Sequence, residues 1–197
     1  MSAEAEGSAR RRSLVFLAKF AVLLVVFYFL VAWRPVNDAA VVPFTAGVAR
    51  VSAAALRVLG EDVGVSGTEI HSSRFAVNIE NGCNGVETAL LFGAAVLAFP
   101  APWVRRLLGL AAGFVAIQLI NLVRVVSLFW IGAHRPALFT LSHTVLWQSI
   151  VVLCGVLLFL AWATREQKAR AAAAVAHEPA DSGGAKGPRG RGPGRRR

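Results

Sequence analysis

Apolar residues in this chain fall into long blocks, and polar residues collect between them. Residues 14–33 are apolar almost without a break, Lys19 being the exception. Twenty helical residues rise about 30 Å, enough to cross a bilayer, and the stem of Lys19 can carry its charge back to the headgroups. The block is read as a retained anchor, because it is long for a signal peptide and no small-x-small site follows it. Blocks 86–99, 107–131 and 144–163 predict three more spans. The first of them is short for a crossing, and Pro100 and Pro102 end it.

Residues 34–85 follow another rhythm. Over 43–59 the spacing is helical and includes Arg50 and Arg57, which predicts an amphipathic helix lying on the membrane. Residues 61–80 are rich in Gly, Ser and Thr. There Phe75, Val77 and Ile79 alternate with Ala76, Asn78 and Glu80, a strand signal expected to pair with 63–70 as a short β-hairpin. From Arg165 onward the chain is rich in Ala, Gly, Pro and Arg without periodicity, and disorder is expected. The predicted fold class is an all-α membrane protein of four transmembrane helices, with an extracytoplasmic segment holding the amphipathic helix and hairpin. The predicted domains are an N-terminus over 1–13, an embedded domain over 14–164 and a basic tail over 165–197.

Composition sharpens this picture. The chain is 56% hydrophobic yet carries a net charge of +10, values that a soluble domain rarely combines. The basic residues cluster at Arg10, Arg11 and Arg12, at Arg105 and Arg106, and in the tail. Four crossings put all three clusters on the cytosolic side, and 34–85 and the loop 134–141 outside. The tail is expected to touch anionic lipid. Nucleic-acid binding is not expected, because no aromatic residue is interleaved for stacking on bases. Cys83 and Cys154 are the two cysteines. They form neither a disulfide framework nor a Cys-x-x-Cys pair, which argues against a thiol oxidoreductase needing paired external thiols.

With that topology, three distant residues reach one depth. Cys83 precedes the second span, Arg124 lies near the outer end of the third, and His143 opens the fourth after Ser142. Asn84 has the form of a helix cap with Glu87 three residues on. Cys83 would then sit at a helix N-terminus, where the dipole lowers a thiol's pKa; packing of a small buried residue is the plain alternative. Gln118, Asn121 and Arg124 recur every third residue as a polar stripe. Arg124 either turns inward as an oxyanion donor or reaches for the outer headgroups. His134 rivals His143 as general acid/base, His71 is also external, and His177 belongs to the tail. Glu87 could orient a histidine, though capping is its simpler role. Cys154 lies mid-span and is expected to pack. No metal-ligand spacing and no cofactor motif is present. An acyl-transfer enzyme and a non-catalytic membrane anchor or assembly subunit both remain open on these residues.

Asn81-Gly82-Cys83-Asn84-Gly85 resembles the Cys-x-Gly motif of exosortases and archaeosortases. Asn121-Leu122-Val123-Arg124 resembles their Asn-x-x-Arg motif, and Ser142-His143 falls where their histidine follows. The resemblance covers about 14–164, and the run from Asn81 to Glu87 in so compact a chain is most similar to exosortase H. It implies a multi-pass protein of the bacterial inner membrane whose site faces the periplasm or exterior. The implied activity is a cysteine transpeptidase or protease: Cys83 forms a thioester, Arg124 stabilises the oxyanion, and His143 moves protons. Asn121, Asn84 and Glu87 would support the site. The implied partners are exported proteins ending in a recognition motif, a transmembrane helix and a basic tail, together with an acyl acceptor that the residues do not identify.

Overall fold

The computed structural model describes residues 3–176, and its first compact unit ends at Ala163. Helix α1 (Ala3–Ala32) starts well before the apolar block. Ala, Glu and Arg are good helix formers, and Arg12 donates back to the carbonyl of Ser8 at 3.3 Å. Helix α2 is the run Arg34–Val58, longer than the amphipathic segment expected over 43–59. Pro43 lacks an N–H and would crowd the carbonyl one turn earlier. The helix widens to π geometry over Asn37–Val41, just ahead of that proline, and so continues through it.

Three strands follow: β1 (Gly64–Ser66), β2 (Glu69–His71) and β3 (Ala76–Asn78). They form an antiparallel sheet in the order β1-β2-β3, with Val65 opposite Ile70 and Ile70 opposite Val77. The expected hairpin thus becomes a three-stranded sheet. Its first half splits at Gly67, whose φ of 59° suits a two-residue turn.

Helix α3 (Val86–Ala98) and helix α4 (Trp103–His134) are joined by the Pro100–Pro102 corner. Helix α5 begins with short turns at Pro136, widens over Ser142–Trp147 and runs regularly through Gln148–Ala176. Disorder from Arg165 is therefore corrected as far as Ala176: alanine-rich sequence prolongs the helix. The rest of the expected disordered tail lies outside the described residues.

Among the described residues, four helices are long and apolar enough to cross a membrane: α1, α2, α4 and α5. The number agrees with expectation and the membership does not. Helix α2 qualifies, whereas α3, at 13 residues, is about 20 Å long. Many of the large apolar side chains on these helices stay exposed, among them Leu17, Phe29, Leu108, Leu119 and Leu157, as lipid-facing surfaces require.

Two cores hold the elements that carry the site. Ala49, Ala53 and Leu56 of α2 meet Ile70 and Ile79 of the sheet region and Val125 and Phe129 of α4. Burying Leu56 or Phe129 completely stabilises the fold by about 2 kcal/mol each. Farther along α4, Ile117 packs with Phe92 and Val96 of α3, flanked by Phe159 and Trp162 of α5. Glycines let these helices approach: the ring of Phe92 fills the space where a side chain at Gly113 would lie, and Trp162 does the same at Gly109.

Candidate active site

Cys83 lies on the tight loop between β3 and α3. Its N–H donates to the carbonyl of Glu80 at 2.9 Å, and Gly82 and Gly85 take φ values of 88° and 77° that favour glycine. Asn84 ties this loop down from a fully buried position. Its Nδ2 donates to Thr45 Oγ1 of α2 at 2.9 Å, and its Oδ1 accepts the Val86 N–H at 3.0 Å. Asn84 therefore satisfies a first-turn amide as expected, although Gly85 is the cap residue itself. A side chain at Gly85 would press on Gln118 and Asn121, so the loop lies directly on α4.

The three distant residues come together. Cys83 Sγ is 2.9 Å from His143 Nε2, and Arg124 Nη2 is 3.6 Å from the same sulfur. Arg124 is 2% exposed, which removes the alternative that it reaches for headgroups. Its Nη1 donates to the Gly82 carbonyl at 3.0 Å and its Nη2 to Gln148 Oε1 at 3.2 Å. Among the described residues no carboxylate lies within ion-pair distance of it. A buried guanidinium held only by neutral acceptors is poised for an anion.

Burial raises the Cys83 thiol above its ordinary pKa; Arg124 opposes the rise, and the charges of Glu80 and Glu87 add to it. The net direction is thus opposite to the lowering expected at a helix terminus. Desolvation of the thiolate outweighs the attraction of the guanidinium.

His143 does not open its helix behind a Ser142 cap. It sits inside the widened turn of a helix already begun at Pro136. Its ring stacks on Phe139 at 5.6 Å and 13°. Phe139 meets Phe75 edge-on at 5.2 Å, and Phe75 meets Phe129 at 5.7 Å. The imidazole is thus fixed through an aromatic chain reaching from the sheet region to α4. His134 instead stacks on Trp130 at 4.8 Å and lies 3.7 Å from Glu61, while His71 lies 3.9 Å from Glu69. Neither joins the cysteine.

The supporting residues divide. Asn121 is fully buried under the loop, with both amide atoms unpartnered. Glu87 is exposed, and its carboxylate lies beside Gly82 rather than on a histidine. Cys154 is partly buried in α5, next to the Gly155 that faces Thr88. Sequence reasoning missed Gln148, Phe139 and Glu80. Gln148 carried a usable signal: it is an amide inside an apolar block, five residues after His143.

A family model described as transmembrane exosortase (Exosortase_EpsH) matches residues 8–162. No curated protein and no solved structure matches the chain. The match covers most of the sequence, including every residue of the cysteine–arginine–histidine cluster, and the chain belongs to the transmembrane exosortase family.

Proposed function

We propose that this protein is a membrane cysteine transpeptidase or protease that cleaves the C-terminal sorting signal of exported proteins through a thioester. One observation carries the reading: a thiol touches an imidazole nitrogen at 2.9 Å and a buried, uncompensated guanidinium at 3.6 Å. A raised thiol pKa makes the neutral pair the resting state. The Sγ proton then passes to His143 Nε2 as the sulfur attacks the substrate carbonyl, which is general-base activation. Nε2 accepts in this scheme, so the other ring proton sits on Nδ1. Arg124 stabilises the negative oxygen of the tetrahedral intermediate. When the C–N bond breaks, His143 returns the proton to the leaving amine and the thioester remains on Cys83. An amine or water next loses a proton to His143, attacks the thioester and releases the sulfur as a thiol.

The substrates in this reading end in a motif, a transmembrane helix and a basic tail. The exosortase H likeness suggests a motif resembling Ile-Pro-Thr-Leu-x-x-Trp-Gly. The site faces away from the cytosol of a bacterial inner membrane. The test is processing of a co-expressed exported reporter carrying such a signal. Cys83→Ala and Cys83→Ser are expected to remain in the membrane and leave the reporter uncut. Arg124→Lys is expected to lose roughly 100-fold in kcat, since a shorter side chain with a single nitrogen cannot reproduce the planar fork that holds Gly82 with Nη1 and Gln148 with Nη2. A hydroxylamine-sensitive adduct on Cys83 would identify the thioester. Normal processing by both cysteine variants would overturn the proposal.

A further inference from the structure

The sheet leaves one edge open beside the site. Along an antiparallel pair, residues alternate between those whose N–H and C=O face the partner and those whose groups face away. Ile79 N–H donates to Thr68 at 3.0 Å and Ser72 N–H to Phe75 at 2.8 Å, with Ile70 opposite Val77 between them. The backbone of residues 75, 77 and 79 therefore faces β2, and that of Ala76 and Asn78 faces the other way. Among the described residues no strand lies beyond β3, and both residues are exposed. Strands β1 and β2 both pack against α2. What remains is a row of two donors and two acceptors spaced about 7 Å apart.

Both ends of this row are attached to the catalytic cluster. Just before it, Phe75 abuts Phe139, on which His143 stacks. Just after it, the carbonyl of Glu80 receives the Cys83 N–H. We propose that the free edge of β3 binds the substrate backbone: an extended segment of the exported protein adds as a fourth strand and carries its scissile carbonyl to Cys83. Alternating main-chain donors and acceptors recognise a peptide whatever its side chains. A three-residue edge suits a short peptide better than the sheet of a second copy. The inference rests on the acyl-transfer reading and adds the conformation and place in which the substrate is held.

The probe is a synthetic peptide spanning the junction cut in the reporter, with each backbone N–H replaced in turn by N-methyl. Kinetics are read with the full-length protein in lipid nanodiscs. Each N-methyl group that removes a ladder bond is expected to raise KM about 5-fold, at every second residue, with the residues between tolerant. Ala76→Pro removes one edge N–H while leaving the bonds to β2 in place, and is expected to raise KM for the unmodified peptide similarly. Unchanged alkylation of Cys83 by an impermeant thiol reagent establishes that its site is intact; should the variant misfold, the methyl scan on the wild type decides alone. A scan without period-two alternation, with cleavage intact, overturns the edge proposal and spares acyl transfer. Loss of a wild-type dimer in Ala76→Pro would give the edge to a second copy and also overturn it. A wild type that cuts neither reporter nor peptide sinks both readings.

Discussion

Two influences compete at the Cys83 sulfur. Burial withdraws the water that would solvate a thiolate, while the Arg124 guanidinium at 3.6 Å favours it; burial wins, helped by Glu80 and Glu87. The sign is testable in a Cys154→Ala background by following alkylation of Cys83 against pH. The midpoint is expected above that of an ordinary exposed thiol, because the reactive form appears only as the raised pKa is approached. Arg124→Gln should move it higher still, and Glu80→Gln lower, since one removes the opposing cation and the other a like charge. A midpoint in the acid range would contradict both the direction and the neutral resting pair. Phe139 is a positioning residue, acting through the His143 ring stacked on it. Phe139→Ala should lower kcat about 10-fold or more by freeing the imidazole plane and leave the alkylation profile in place; Phe139→Tyr should restore most of it. Gln148→Leu leaves a buried guanidinium donor short of a partner, at a stability cost of about 1–3 kcal/mol.

Helices meet here through glycine, and each glycine makes a separate prediction. Gly113→Ala drives a methyl into the Phe92 ring between α3 and α4 and should cost about 1–3 kcal/mol. Gly47→Ala on α2 meets nothing within 4 Å and should stabilise the helix by up to about 1 kcal/mol. Thermal unfolding in nanodiscs compares the two, and equal shifts would refute the packing argument. Gly132→Ala pushes on Phe75, hence on Phe139, so it should slow turnover as well as lower the melting temperature. Local pattern predicted much at this scale: the blocks that became α1, α4 and α5, and the alternation of Phe75, Val77 and Ile79 that became β3. It placed the start of α2 at Pro43 rather than Arg34, because a proline is favoured in a first helical turn and the widened turn that carries the helix through it leaves no local signal. Nor did it resolve β1 from β2, where one glycine reverses the chain within what read as a single strand. At the site, depth along the spans grouped Cys83, Arg124 and His143. Position at the start of the fourth block and the family resemblance favoured His143 over His134 only narrowly on the residues themselves, and the roles of Gln148 and Phe139 depend on tertiary contacts that no local spacing encodes.

Four long apolar helices and a short fifth leave the crossing count to be decided by what each helix end touches. Helix α3 starts where Gly85 meets Gln118 and Asn121, and it passes Phe92 against Gly113. Phe99, just beyond its end, meets Trp162, the ring seated at Gly109. It thus runs antiparallel to α4, from the level of the catalytic cluster towards Arg105 and Arg106. From Arg105 to Arg124 the helical rise is about 28 Å, close to the hydrocarbon thickness of a bilayer. With the extended Phe99–Pro102 corner and the loop at Cys83 adding to the height, the four-crossing topology expected from the basic clusters predicts that the short helix crosses. Helix α2 also lies along α4. Asn37, Val42 and Thr45 near its start border Asn78, Ile79, Glu80 and Asn81, and Leu59 at its end borders Val126 and Trp130. Phe44 lies 6.0 Å from Phe114, well before Arg124 on α4, so α2 extends along α4 to both sides of the Arg124 level, and the even count expected from the basic clusters requires that it enter the membrane without crossing. In that topology Arg10 to Arg12, Arg105 and Arg106 would share one face, as the positive-inside rule requires. Single cysteines at Ser66 and at Pro102, in a protein lacking Cys83 and Cys154, test this arrangement. An impermeant thiol reagent is expected to label position 66 in intact spheroplasts and position 102 only after permeabilisation. Labelling of both from outside would mean that α3 turns back within the membrane, putting the basic corner on the same side as the cysteine loop and removing the argument that the site faces outward.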